Sequence, residues 1–169
     1  MPGATCIARM ASAVVLGAGI AAAARSAEEL RNWFDDPFFR ISSAFPDCPE
    51  PAGPRITEAE RPAQSHRRAE KGTTCWLAKE CDRPNAYAYD ADIAAFIRAA
   101  VRKRPMFPGS SLWVTVQGRV VYVEGCVARA SQAAQIEAFM RAVPHVQQTL
   151  AIVTSTRGAT PPYRALAAR

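Results

Sequence analysis

The sequence predicts an α+β protein: a two-layer helix–strand–strand–helix–strand domain over residues 90–155, after an irregular, disulfide-stapled segment that carries one short helix. Two observations carry this reading. Apolar residues recur at helical spacing in two stretches and alternate with period two between them. Outside the first 24 residues four cysteines remain, three of them in a proline-rich stretch of weak periodicity.

The first helix of the domain is written by Ile93, Phe96, Ile97, Ala100 and Val101, one stripe at i, i+3, i+4, i+7, i+8. Asp90 is placed to cap it, and Arg102-Lys103-Arg104-Pro105 supplies cations and a proline stop at its carbonyl end. Leu112–Val116 and Val120–Val127 then alternate as strands, with Gln117-Gly118-Arg119 as the hairpin turn. Leu112, Val114 and Val116 share one face with Val121, Val123, Gly125 and Val127. Trp113 and Tyr122 fall on the other face, where a cross-strand aromatic pair is expected. A second amphipathic helix uses Ala133, Ile136, Phe139, Met140 and Val143, with Ser131 as its cap and Pro144 as its stop. Val146–Thr154 reads as a third strand, and residues 156–169 as a loose tail.

Residues 25–89 have a different texture. They hold seven of the thirteen prolines and Cys48, Cys75 and Cys81. Thr57-Glu58-Ala59-Glu60 is a capping-box pattern, so a helix is expected to run from there toward Lys71 and stop at Gly72, with Pro62 disturbing its first turns. The aromatic run from Trp33 to Phe39 is read as an anchor packed on the second half, with an exposed partner patch as the alternative.

The first 24 residues have the layout of a secretory signal peptide: one basic residue, Arg9, a short apolar centre from Met10 to Ile20, and an alanine exit. Cleavage near Ala24 is expected, giving a periplasmic protein. Export makes Cys48, Cys75, Cys81 and Cys126 disulfide candidates. Three pairings are possible, and the sequence does not choose among them. A continuous helix would hold Cys75 and Cys81 about 9 Å apart, whereas a turn would let them meet. A zinc site with His66 is the rival, but the spacing fits no compact zinc pattern.

The order of elements and their turn residues resemble the BON domain, a small α/β module of bacterial envelope proteins. The resemblance rests on Val114-Thr115-Val116, on Val121-Tyr122-Val123-Glu124-Gly125-Cys126-Val127 and on Val143-Pro144-His145-Val146. Arg119 and His145 stand where the family usually has glycine, and Thr149 where a second valine is common. One copy is present. The resemblance implies binding rather than catalysis: association with cell-envelope components, with anionic phospholipid as the implied partner, in envelope maintenance or osmotic stress. It implies no metal and no cofactor.

The chain offers no recognisable catalytic constellation. His66 and His145 lie in no nucleophile or zinc-protease motif. A thiol–disulfide enzyme using Cys75 and Cys81 is a remote third reading. The whole chain carries a net charge of +6. Between residues 90 and 155 there are seven basic and four acidic side chains, against ten and eleven between residues 25 and 89. The cations therefore concentrate in the second half. Arg98, Arg102, Lys103 and Arg104 are the candidate lipid-phosphate contacts, with Trp113 and Tyr122 as interfacial aromatics. The same cations would also stabilise the end of a helix. Nucleic acid is not expected as a partner. The alternative function is a protein-interaction module that docks onto an envelope protein through the outward sheet face.

Overall fold

The computed structural model describes residues 28–103 and 107–166. The expected leader with Cys6, and Arg104 in the basic cluster, lie outside the described residues. Strand β1 (Phe38–Ser43) comes first, then helix α1 (Arg61–Gly72), the short helix α2 (Thr74–Leu77) and a 3-10 turn at Ala86–Tyr89. Helix α3 (Asp90–Lys103), strands β2 (Ser110–Gln117) and β3 (Val120–Val127), helix α4 (Gln132–Arg141) and strand β4 (Gln148–Thr154) complete the chain. The expected α+β order is present, and the sheet has a fourth strand: its order is β1-β2-β3-β4.

The added strand is β1. It runs antiparallel to β2, with a register shift between Arg40 and Ser42. Phe38 and Phe39 are adjacent and serve opposite faces. Phe39 and Ile41 pack on the helical core, whereas Phe38 pairs with Thr115 on the far side. A bulged edge strand that is apolar on both faces shows no clean alternation, so its sequence does not read as a strand. The end of the aromatic run thus anchors on the second half, whereas Trp33 packs within its own half, its Nε1 donating to the Ile56 carbonyl at 3.0 Å.

The core lies between the sheet and α3 with α4. Leu112, Val114, Val116, Val121 and Val123 are fully buried, as are Ile93, Ile97, Ile136 and Met140. Phe96 leaves the expected stripe and is 46% exposed. Strand β4 runs parallel to β3, with α4 as the crossover. The Ala151 N–H on β4 donates to Glu137 Oε1 at 3.1 Å, so α4 occupies part of a sheet edge that would otherwise be open.

Turn chemistry differs from expectation at two caps. Asp90 does not cap α3. Its buried carboxylate accepts the N–H groups of Gly118 at 2.6 Å and Arg119 at 2.8 Å, tying the start of α3 to the β2–β3 hairpin. Ser131 makes no side-chain cap to α4. Gln132 Oε1 accepts the Arg129 N–H instead. The Thr57–Glu60 box forms: Glu60 Oε2 accepts from the Thr57 N–H, and the Glu60 N–H donates to Thr57 Oγ1. The helix proper begins at Arg61, so Pro62 falls in the first turn, where its missing N–H costs nothing, and the helix ends at Gly72 as expected.

The two positions where the resemblance leads one to expect glycine both need a left-handed backbone. Arg119 (φ 68°) and His145 (φ 69°) both lie in the left-handed region. With Gly118 at φ 60°, Arg119 completes a two-residue turn whose twist matches the strands. Side-chain contacts offset the backbone cost. Arg119 Nε donates to the His145 carbonyl at 2.9 Å, beside a backbone bond from the Gln147 N–H to the Arg119 carbonyl at 2.9 Å. The His145 ring stacks 5.1 Å from that of Tyr89, and the Arg119 guanidinium lies 5.1 Å from the same ring. Glycine could make neither side-chain contact.

The second face of the sheet is closed by the chain itself. Cys48 is bonded to Cys126 on that face of β3. A Cβ on Gly53 would meet the Phe38 ring at 2.5 Å, so residues 48–56 lie directly over it. The C-terminal tail, expected to be loose, docks beside them. Tyr163 is buried and its hydroxyl donates to the Pro49 carbonyl at 2.9 Å, the Ala52 N–H donates to the Arg164 carbonyl, and the Leu166 N–H donates to the Glu50 carbonyl. Helix α1 is held by a buried ion pair. Arg68 Nη1 donates to both Asp36 oxygens at 2.9 Å, Gln117 Nε2 donates to the same carboxylate, and the guanidinium lies 3.7 Å from the Tyr87 ring. Cys75 pairs with Cys81 because α2 stops at Leu77 and Lys79 turns the chain at φ 59°.

Candidate functional site

Three surfaces are distinguishable, and the sequence-derived residues divide among them. The first is the carbonyl end of α3. Arg98, Arg102 and Lys103 are all exposed there, and none has an acidic partner within salt-bridge distance among the described residues. The Arg98 guanidinium rests 4.0 Å from the Phe39 ring, which fixes where that cation points. Phe96 stands on the same helix, two turns from Lys103 and on the same face. Arg98 and Arg102 occupy the other flank of the exposed side of the helix, about 160° and 120° around its axis from Phe96, and the Phe96 ring leans toward that of His145, 6.5 Å away. Phe96 was not among the expected contact residues, because its place in the i, i+3, i+4 series reads as core.

The second surface is the sheet face opposite the helices, where Trp113 and Tyr122 were expected to offer aromatic contacts. Trp113 is buried, 6% exposed, with the Arg40 guanidinium 4.5 Å above its ring. It pairs with Glu124, and Tyr122 pairs with Thr115, so the two aromatics are diagonal neighbours rather than a direct pair. Tyr122 is half-buried. The face is unavailable for the reason given above: the chain's own segments cover it.

Glu124 sits on that covered face. Burial raises its carboxyl from the ordinary 4.5 to about 6. The nearby Tyr163 hydroxyl is pushed up to about 12, by burial first and by Glu124 second. Because the folded-state value lies above the unfolded one, the stabilising contribution is present below about pH 4.5 and is lost as pH rises through about 6. Glu124→Gln is therefore expected to raise stability at pH 7.5 by up to about 2 kcal/mol and to leave it unchanged at pH 4. Urea unfolding at the two pH values checks this, and equal changes at both would contradict it. Asp90, raised to about 6 by burial against its two backbone donors, adds a slope of the same sign that this variant retains.

The third surface is a cavity of about 480 Å³ at the C-terminal ends of the parallel strands β3 and β4. Its walls are the loop after β1, the Cys48–Cys126 disulfide and the turn after β4. Phe45, Pro46, Val127 and Ala128 make it largely apolar, and Asp47 and Arg157 supply charge. Elsewhere, Trp76 and Leu77 are exposed on the short loop closed by Cys75–Cys81. Among the described residues no three metal-ligating side chains gather, and no helix is long and apolar enough to cross a membrane.

Residues 89–150 match the family model of the BON domain. That span begins at Tyr89, one residue before α3, and ends within β4. No curated protein and no solved structure matches the chain.

Proposed function

With residues 89–150 a BON domain, a module associated with phospholipid and the cell envelope, we propose that the protein binds anionic phospholipid through the carbonyl end of α3. Arg98, Arg102 and Lys103 contact phosphates, Arg104 extends the cluster along the sequence, and Phe96 enters the interface. The protein performs no reaction in this reading. It serves envelope maintenance or osmotic protection from the periplasm. The observation that carries the proposal is the set of three exposed cations on one helix, none with an acidic partner among the described residues, with an exposed phenylalanine.

Each cation near an anionic surface contributes about 1 kcal/mol, so the attachment is weak, reversible and sensitive to salt. In vesicle co-sedimentation, the oxidised chain is expected on anionic vesicles and not on neutral ones. Arg102→Glu with Lys103→Glu is expected to weaken that partition at least about tenfold. Equal retention on neutral and anionic vesicles, unchanged by the two reversals, contradicts the proposal. The docking reading depended on the outward sheet face, and residues 48–56 and 163–166 occupy that face. A stoichiometric periplasmic partner retained at high salt would restore it.

A further inference from the structure

The cavity at the ends of β3 and β4 has no part in the membrane contact, and we infer that it is a binding site for a zwitterionic single-chain amphiphile. Its volume of about 480 Å³ lies within the range of small-molecule sites. It lies outside the carboxyl ends of the parallel strands β3 and β4, between the loop after β1 and the turn after β4. The Cys48–Cys126 bond fixes one wall of the cavity to the sheet.

The charges define the ligand's head. Arg157 lies with its guanidinium 4.8 Å from the Phe45 ring, an arrangement that orients the cation on the cavity wall. The turn that presents it is set by the Thr156 N–H donating to Thr154 Oγ1 at 3.2 Å. Asp47 lines the same cavity. The two charges do not pair with each other, and neither has another ion-pair partner among the described residues. A purely anionic head would satisfy Arg157 and be repelled by Asp47. A purely cationic head would do the reverse. A head carrying a phosphate and an ammonium group satisfies both, and the apolar wall of Phe45, Val127 and Ala128 accepts its chain.

The residues are distinct from those on α3, so this site and the vesicle contact succeed or fail separately. Isothermal titration of the full chain uses dodecylphosphocholine, dodecyl phosphate and dodecyltrimethylammonium, each below its critical micelle concentration. The phosphocholine is expected to bind one to one and about tenfold tighter than either singly charged probe. Arg157→Gln is expected to shift preference toward the cationic probe, and Asp47→Asn toward the anionic one. Both side chains are exposed, so both variants are expected to keep the wild-type thermal midpoint. Ala128→Trp, which fills the cavity, is expected to abolish binding of all three. Absence of saturable binding, or equal binding of the three probes unchanged by Arg157→Gln and Asp47→Asn, overturns the inference.

Discussion

Removing the Cys48–Cys126 bond by Cys48→Ala with Cys126→Ala is expected to lower the stability of the oxidised protein by about 4 kcal/mol. The bond closes a span of 78 residues, so its loss restores a large amount of chain freedom to the unfolded state. It also joins the irregular N-terminal half to β3, and the cover over the second sheet face depends on that joint. Urea unfolding gives the loss, and iodide quenching reports the accompanying exposure of Trp113. A loss below about 1 kcal/mol would mean that the tail contacts of Tyr163 and Leu166 hold the cover unaided. Cys75–Cys81 spans only six residues, and its removal is expected to cost about half as much.

Gly125→Ala is the most damaging single substitution expected in the sheet. Gly125 stands opposite Leu112 at φ 144°, a conformation that side chains rarely adopt. A Cβ there would lie 2.0 Å from the Ser111 carbonyl oxygen, and the obstruction is backbone on the central strand pair. Neither strand can yield without breaking register with β1 or β4. The expected loss is at least about 3 kcal/mol, or failure to accumulate folded protein. A variant that melted within a degree or two of the parent would show that β2 and β3 approach less closely than described.

The span that matches the BON model was legible because its signals are local. Alternation over residues 112–127 assigns Val114, Val121 and Val123 to one face, and the structure buries all three. The helix stripes named Ile93, Ile97, Ile136 and Met140, and these too are buried. What the sequence did not show depends on long-range choices. Strand β1 was hidden because Phe38 and Phe39 serve opposite faces of the sheet and the strand is bulged between Arg40 and Ser42. Trp113 reads as exposed by alternation, but alternation says only that it lies opposite the core. Arg40 and the segment after β1, remote in sequence, decide that it is covered. Asp90 reads as a helix cap since its partners, Gly118 and Arg119, are 28 and 29 residues away. The cysteine pairing was open for the same reason. Of the candidate site, the cations of α3 were legible, whereas Phe96 reads as core because it falls in the apolar stripe of the helix, and only the packed structure leaves its ring exposed.

The central functional claim is that the molecule meets a membrane with the end of α3 and not with its sheet. Amide NMR of the oxidised chain on anionic bicelles doped with a headgroup spin label tests it residue by residue. Broadening is expected for Phe96 to Lys103, with Trp113, Tyr122 and Glu124 unaffected. Broadening centred on β2 and β3, with α3 untouched, would contradict the account.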